Sequence, residues 1–109
     1  MEIRESSANE VPLLILTGRL DGRTAPILED KISSLLATGI SHLVFDCSGV
    51  DYASSAGLRV FLSTAKKLAT AKGRCGFAAL APNLQEIFEV SGFLQVLEIH
   101  PSVADATIS

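Results

Sequence analysis

Between Leu43 and Arg59 the chain reads L-V-F-D-C-S-G-V-D-Y-A-S-S-A-G-L-R. An apolar run ends at Asp46, a short polar turn follows, and two serines stand at the mouth of a long helical pattern. A strand that feeds a helix through a short turn leaves small hydroxyls at the positive end of the helix dipole, where an anion is stabilised. This junction constrains the fold more than any other stretch, because apolar runs and helical patterns alternate on both sides of it.

Met1 to Ser7 is expected to pair with Val11 to Thr17 as a hairpin, with Ala8, Asn9 and Glu10 in the turn. Pro12 has no N–H to give a ladder, so it belongs at a strand start or an edge. V-P-L-L-I-L-T is almost continuously apolar, as in a strand covered on both faces. Gly18 to Arg23 breaks the pattern and is read as a loop. Thr24 is then the predicted N-cap of a helix with Pro26 in its first turn, Leu28, Ile32, Leu35 and Leu36 on its inner face and Gly39 as C-cap.

A strand over His42 to Asp46 leads into the junction, and its helix is expected from Ser55 or Ala56 to Lys72, closed by Gly73. Leu58, Phe61, Leu62, Ala65, Leu68 and Ala69 form the apolar stripe of that helix. Cys75 to Leu80 reads as a strand, Pro82 to Ser91-Gly92 as a helix, Leu94 to Ile99 as a strand, and Pro101-Ser102 as the start of a short helix holding Val103, Ala106 and Ile108. The order β-β-α-β-α-β-α-β-α implies an α/β fold, with a mixed central β-sheet, an N-terminal antiparallel hairpin, right-handed crossovers and α-helices packed on the sheet.

At 109 residues the chain fits one domain, 1-109, with a single core. A hydrophobic fraction of 48% with 19% charged residues excludes disorder. No apolar run reaches the roughly 18 residues of a spanning helix, and the N-terminus lacks a signal-peptide pattern, so a cytoplasmic protein without membrane insertion is expected. A net charge of −3 argues against direct DNA binding. Lys66, Lys67, Lys72 and Arg74 are the densest basic spot and read as a solvated helix face and end. Cys47 and Cys75 have no partners at metal-ligand spacing and read as buried, reduced thiols, with no metal or cofactor implied.

Two readings stand for Ser54-Ser55-Ala56-Gly57. In one, Ser54 caps the helix through its side chain and Ala56 and Gly57 pack tightly. In the other, Ser55 is exposed beside that cap, and a phosphate on it faces the free N–H groups of the helix start with Arg59 one turn along. The same residues nearly match the G-x-S-x-G elbow of a serine hydrolase, but His42 belongs at the far end of the sheet and His100 has no pocket around it, so an enzyme is not expected. Asp21, Asp46 and Asp51 read as turn caps rather than a metal cluster.

L-T-G-R-L-D-G-R-T-A-P, F-D-C-S-G-V-D-Y-A-S-S-A-G-L and L-A-P-N-L-Q-E-I-F-E-V-S-G-F stand in order and at separations that resemble a STAS domain of the bacterial anti-sigma factor antagonist family. The resemblance implies a partner switch. The unphosphorylated antagonist would bind an anti-sigma factor that is also a serine kinase, phosphorylation would release it, and a PP2C-type phosphatase would reset it. Aligning Gly57-Leu58 on the family's D-S-S-G-L places the acceptor at Ser55, with Ser54 as second candidate because it replaces the usual Asp. Ala56 replaces the usual second Ser, and Arg59 stands where a small residue is common. By the same resemblance the partner-binding surface comprises Arg19, Asp21, Thr24, Ser54, Ser55, Ala56, Gly57, Arg59 and Val60. The alternative is a non-phosphorylated STAS regulatory subunit of a lipid or anion transporter, in which Ser55 only caps its helix.

Overall fold

The computed structural model of the chain describes residues 1–108. Strands β1 (Glu2–Ala8) and β2 (Val11–Leu20) form the expected antiparallel hairpin. Its turn is the two residues Asn9 and Glu10, both with positive φ (51° and 66°), and Ala8 pairs with Val11. Two residues of this conformation match the right-handed twist of the flanking strands. The chain continues through α1 (Ala25–Leu36), β3 (His42–Ala53), α2 (Ser55–Thr70), β4 (Arg74–Ala78), α3 (Pro82–Ser91), β5 (Glu98–His100) and α4 (Val103–Thr107).

The sheet order is β1-β2-β3-β4-β5, with every pair after the hairpin parallel. The crossovers step one way along the sheet, so with one hand of connection their helices land on one face. There Leu14, Leu16, Leu43, Phe45, Cys47, Cys75 and Phe77 meet Leu28 and Ile32 of α1, Phe61 and Leu68 of α2, and Leu84 and Phe88 of α3. Four phenylalanines, Phe45, Phe61, Phe77 and Phe88, bind strands to helices with ring centroids 5.0 to 6.3 Å apart. Each fully buried ring contributes about 2–3 kcal/mol of apolar burial. On the opposite face Val11, Leu13, Val44 and Ala78 form a smaller core under Ala106 of α4. Asn9 Nδ2 donates to Thr107 Oγ1 at 2.9 Å and fastens α4 to the hairpin turn.

Several boundaries differ from the sequence expectation. β2 runs on through Leu20 and β3 through Ala53, where loops were expected after Thr17 and Asp46. The pairs Gly18↔Val50, Arg19↔Tyr52 and Leu20↔Ala53 extend the ladder past two register shifts, and Cys47, Val50 and Ala53 keep it anchored in the core. α1 ends at Leu36 with Ala37 as C-cap, two residues before Gly39, and α2 ends at Thr70. β4 starts at Arg74 and stops at Ala78. Phe93–Gln95 is a 3-10 turn, which reduces the last strand to Glu98–His100, and Ile108 lies beyond α4 and is exposed. No helix among the described residues is long and apolar enough to cross a membrane. Cys47 and Cys75 are free and buried, and burial pushes the Cys75 thiol up to about 12.

On the α4 face, Glu98 accepts from Arg74 at 3.0 Å and bonds His100 Nε2 at 3.0 Å, beside His42. His42 Nε2 is buried without a partner, and burial, reinforced by Arg74 and His100 and opposed by Glu98, holds the ring's pKa below its ordinary 6.5. The native ring stays neutral where an unfolded His42 has already protonated. The unfolded chain then binds more protons, so stability falls as pH drops through 6.5 toward the native value. Denaturant midpoints measured at about pH 7 and about pH 5 should diverge less in His42→Gln than in the wild type.

Candidate functional site: the start of helix α2

The last pairs of β2 and β3 set the position of α2. Leu20 is paired with Ala53, and its carbonyl accepts from Ser54 N–H at 2.8 Å, so the chain turns into the helix directly off the strand end. Gly57 then sits over Leu20. A Cβ at Gly57 would fall 2.5 Å from Leu20 Cγ and 2.9 Å from the Leu20 carbonyl oxygen. The glycine is required by this close approach, which brings the first turn of α2 onto the end of β2.

Ser54 occupies the N-cap position in extended conformation, and its carbonyl accepts Leu58 N–H at 2.9 Å. The expected side-chain cap is absent. Ser54 Oγ is buried and unpartnered instead of reaching the first turn. An α-helix leaves its first N–H groups without intrahelical acceptors, and here Ser54 does not claim those of Ala56 and Gly57. Ser55, the first helical residue, is exposed directly beside them.

The segment between β2 and α1 forms the adjoining wall. Asp21 Oδ1 accepts from Arg23 N–H at 3.0 Å and Thr24 N–H at 3.2 Å, and the Asp21 carbonyl accepts from Ala25 N–H at 2.8 Å. The bonds to Oδ1, led by that from Arg23 and joined by those from Thr24, hold the Asp21 carboxyl below the usual carboxylate range against a smaller opposing effect of burial. The hydroxyl of Thr24 donates to the Arg19 carbonyl at 2.9 Å and accepts Asp21 N–H at 2.9 Å. It therefore braces the loop and does not cap α1 as expected, because Thr24 is already in helical conformation and Asp21 supplies the cap-like contacts one turn earlier.

Arg19 is the last exposed cation of β2, and its guanidinium lies 4.4 Å from the centre of the Tyr52 ring. Tyr52 was not foreseen as part of the site. The signal was its place two residues before Ser54, hidden because β3 was expected to end at Asp46. A depression of about 430 Å³ beside Tyr52 is lined by Asp51, Asn83, Glu86, Ile87 and Val90, joining the site to α3. On the other flank Ala56 is half-buried and Arg59 exposed. Val60, expected on the binding surface, is 7% exposed and packs in the core, because its place on α2 turns it toward the sheet; only its edge reaches a shallow groove against α1.

The site does not assemble a hydrolase. His42 opens β3, at the opposite end of that strand from Ser55. His100 is level with Ala78 and Asp46 and bonds Glu98 on the face away from α2. Asp46 Oδ1 accepts Ser48 N–H at 3.0 Å within β3, so it turns the strand locally instead of capping its end. Among the described residues no group of three or more His, Cys, Asp or Glu side chains is placed to hold a metal.

The family model of the STAS domain matches residues 4–106, which takes in most of β1, all of β2 to β5 and both walls of the site. The chain belongs to the STAS domain family. A 32% identical relative from Bordetella bronchiseptica, BtrV, provisionally named an anti-sigma factor antagonist, aligns over 91% of this chain and 85% of its own length. The anti-sigma-B factor antagonist of Listeria monocytogenes is 26% identical over 91% of this chain and 86% of its own. A crystal structure of an anti-sigma factor antagonist from Mycobacterium paratuberculosis superposes with a TM-score of 0.86 at 28% identity, covering 96% of this chain and 89% of that one. The Bacillus cell fate determinant SpoIIAA in its phosphorylated form shares the STAS fold, with a TM-score of 0.74 at 20% identity over 96% of both chains.

Gly57→Ala should destabilise the domain by about 1–3 kcal/mol, the range for overpacking a filled site, as the Leu20 backbone has no room to yield. Urea denaturation checks this, and a loss below about 0.5 kcal/mol would show that α2 is not pressed onto β2.

Proposed function

We propose that this chain, acting as a single STAS domain, is an anti-sigma factor antagonist whose binding is switched by phosphorylation of Ser55. The observation that carries the reading is an exposed serine at the first position of α2, beside first-turn N–H groups that Ser54 leaves unclaimed. The names of the relatives from Bordetella and Listeria support the antagonist role. That SpoIIAA has been solved in phosphorylated and unphosphorylated forms supports the compatibility of a phosphate with the fold.

In the unphosphorylated state, Ser55, Ala56, Arg59 and the braced Asp21–Thr24 loop, with Arg19 beside it, meet an anti-sigma factor that is also a serine kinase. Phosphorylation forms a bond between Ser55 Oγ and the γ-phosphorus of ATP while ADP leaves and a base of the kinase takes the hydroxyl proton. The product carries about −1.5 to −2 charges at neutral pH. The helix dipole and free N–H groups stabilise that charge, so the domain stays folded while its surface ceases to fit the partner. A PP2C-type phosphatase hydrolyses the ester and returns serine and inorganic phosphate. The chain itself binds and releases, and the chemistry on Ser55 belongs to its partners. Ser54 is a poorer acceptor on geometric grounds, because its Oγ is buried.

Incubation with the anti-sigma kinase of its host and ATP should add one phosphate by intact mass, and Ser55→Ala should abolish it while Ser54→Ala does not. Undiminished phosphorylation of Ser55→Ala would remove Ser55 from the mechanism. Ser55→Glu should keep the wild-type thermal unfolding profile and bind the same kinase at least about tenfold more weakly, by about 1.4 kcal/mol. Retained affinity or an unfolded chain would each contradict the switch.

A further inference from the structure

Among the four helices, α2 alone carries no acidic residue. Arg59, Lys66 and Lys67 give it three positive charges in a chain whose net charge is −3. The ion pairs among the described residues are Arg19–Asp21, Lys31–Glu5, Arg74–Glu98 and His100–Glu98, so none neutralises an α2 cation. Arg59, Ser63, Lys66 and Thr70 recur at three- and four-residue spacing and share one face, opposite buried Phe61, Thr64 and Leu68. Between these side chains lies a groove of about 500 Å³ with half-buried Leu62 in its lining.

A second depression, of about 350 Å³, lies between α1 and the start of α2 and is lined in part by Gly22, Pro26, Glu29 and Ala56. Both depressions are lined by Arg59 and Ser63, so they adjoin along α2. Together they make a channel divided by those two side chains, from Gly22, past Ala56 beside Ser55, to Lys66 and Lys67. A solvated helix face would explain the lysines alone. It does not explain three unpaired α2 cations set along a depression with half-buried Leu62 in its lining. The channel reaches Ala56 next to Ser55 and meets a single carboxylate, Glu29, on its α1 wall.

We propose that this channel docks an acidic surface of the anti-sigma partner, with Arg59, Lys66 and Lys67 pairing its carboxylates around Leu62. The inference rests on the proposed function and adds the chemistry of the partner's contact face. Complementary charge of this kind steers association and fixes the docking register. A phosphate on Ser55 stands at the end of the channel with the partner's own sign and competes for Arg59 four residues along the helix, so it opposes docking.

The test is stopped-flow association of the unphosphorylated chain with its anti-sigma kinase across a salt series. The wild-type rate constant should fall as salt rises. Lys66→Gln with Lys67→Gln should lower the low-salt rate about fivefold or more and flatten its salt dependence, leaving the thermal unfolding profile unchanged. Glu2→Gln with Glu89→Gln, a charge change of equal size and opposite sign outside the channel, should leave the rate within about twofold of the wild type. A lysine-pair variant with the wild-type rate and salt slope would overturn the proposal while leaving the Ser55 switch standing. Equal and opposite effects of the two pairs would trace the rate to net charge and overturn it as well. A wild-type chain that neither binds the kinase nor is phosphorylated by it would instead defeat the functional reading beneath.

Discussion

The seating of Gly57 on Leu20, with Ser54 N–H bound to the Leu20 carbonyl, decides where α2 begins and therefore what the site can present. A side chain at position 57 would lift the helix from the strand end. The long ladder between β2 and β3 carries Leu20 and Ala53 to the same level, so the helix starts from two strand ends held in register. Behind it the phenylalanine cluster ties α2 and α3 to β3 and β4, and a close-packed interior of this kind is hard to compress. The consequence is a platform that presents an exposed serine at a helix end.

Such packing suits the proposed switch, which would change a surface and not a fold. The inward turn of Ser54 Oγ leaves a buried hydroxyl unpartnered, a penalty of about 1–3 kcal/mol. In exchange the first-turn N–H groups stay open beside Ser55. The Asp21–Thr24 loop is satisfied internally by its own backbone and hydroxyl bonds, and Arg19 rests on Tyr52. Both walls are thus held in shape before any partner arrives, which lowers the ordering cost of binding.

Most of the architecture was legible because periodicity and punctuation agree. Pro26 and Pro82 open helices and Gly92 closes one. Of the expected α2 stripe Phe61 and Leu68 are buried, Leu58, Leu62 and Ala65 only partly so and Ala69 is exposed, with Val60 and Thr64 buried in addition. The parts that were not legible share one cause, since polar residues inside a long strand look like a turn. Asp46, Ser48, Gly49 and Asp51 disguised the second half of β3, and with it the place of Tyr52. Ser55, Arg59, Arg19 and Arg23 are exposed, as the side chains of a binding surface must be. Val60 is buried, because its position on α2 turns toward the sheet. The side-chain roles of Ser54 and Thr24 were also beyond the sequence, because a hydroxyl at a helix start has several acceptors and donors within reach and only the surrounding packing selects among them.

The proposed switch depends on the open N–H groups at the start of α2 receiving the phosphate on Ser55. The amide spectrum of the isotopically labelled chain, phosphorylated on Ser55 and titrated through the second phosphate pKa of about 6, reads this contact. The Ala56 and Gly57 amide protons should move downfield as the phosphate becomes dianionic, while amides of β3 and β4 stay in place. Ala56 and Gly57 resonances that ignore the phosphate titration, or a spectrum that changes throughout the domain, would contradict it.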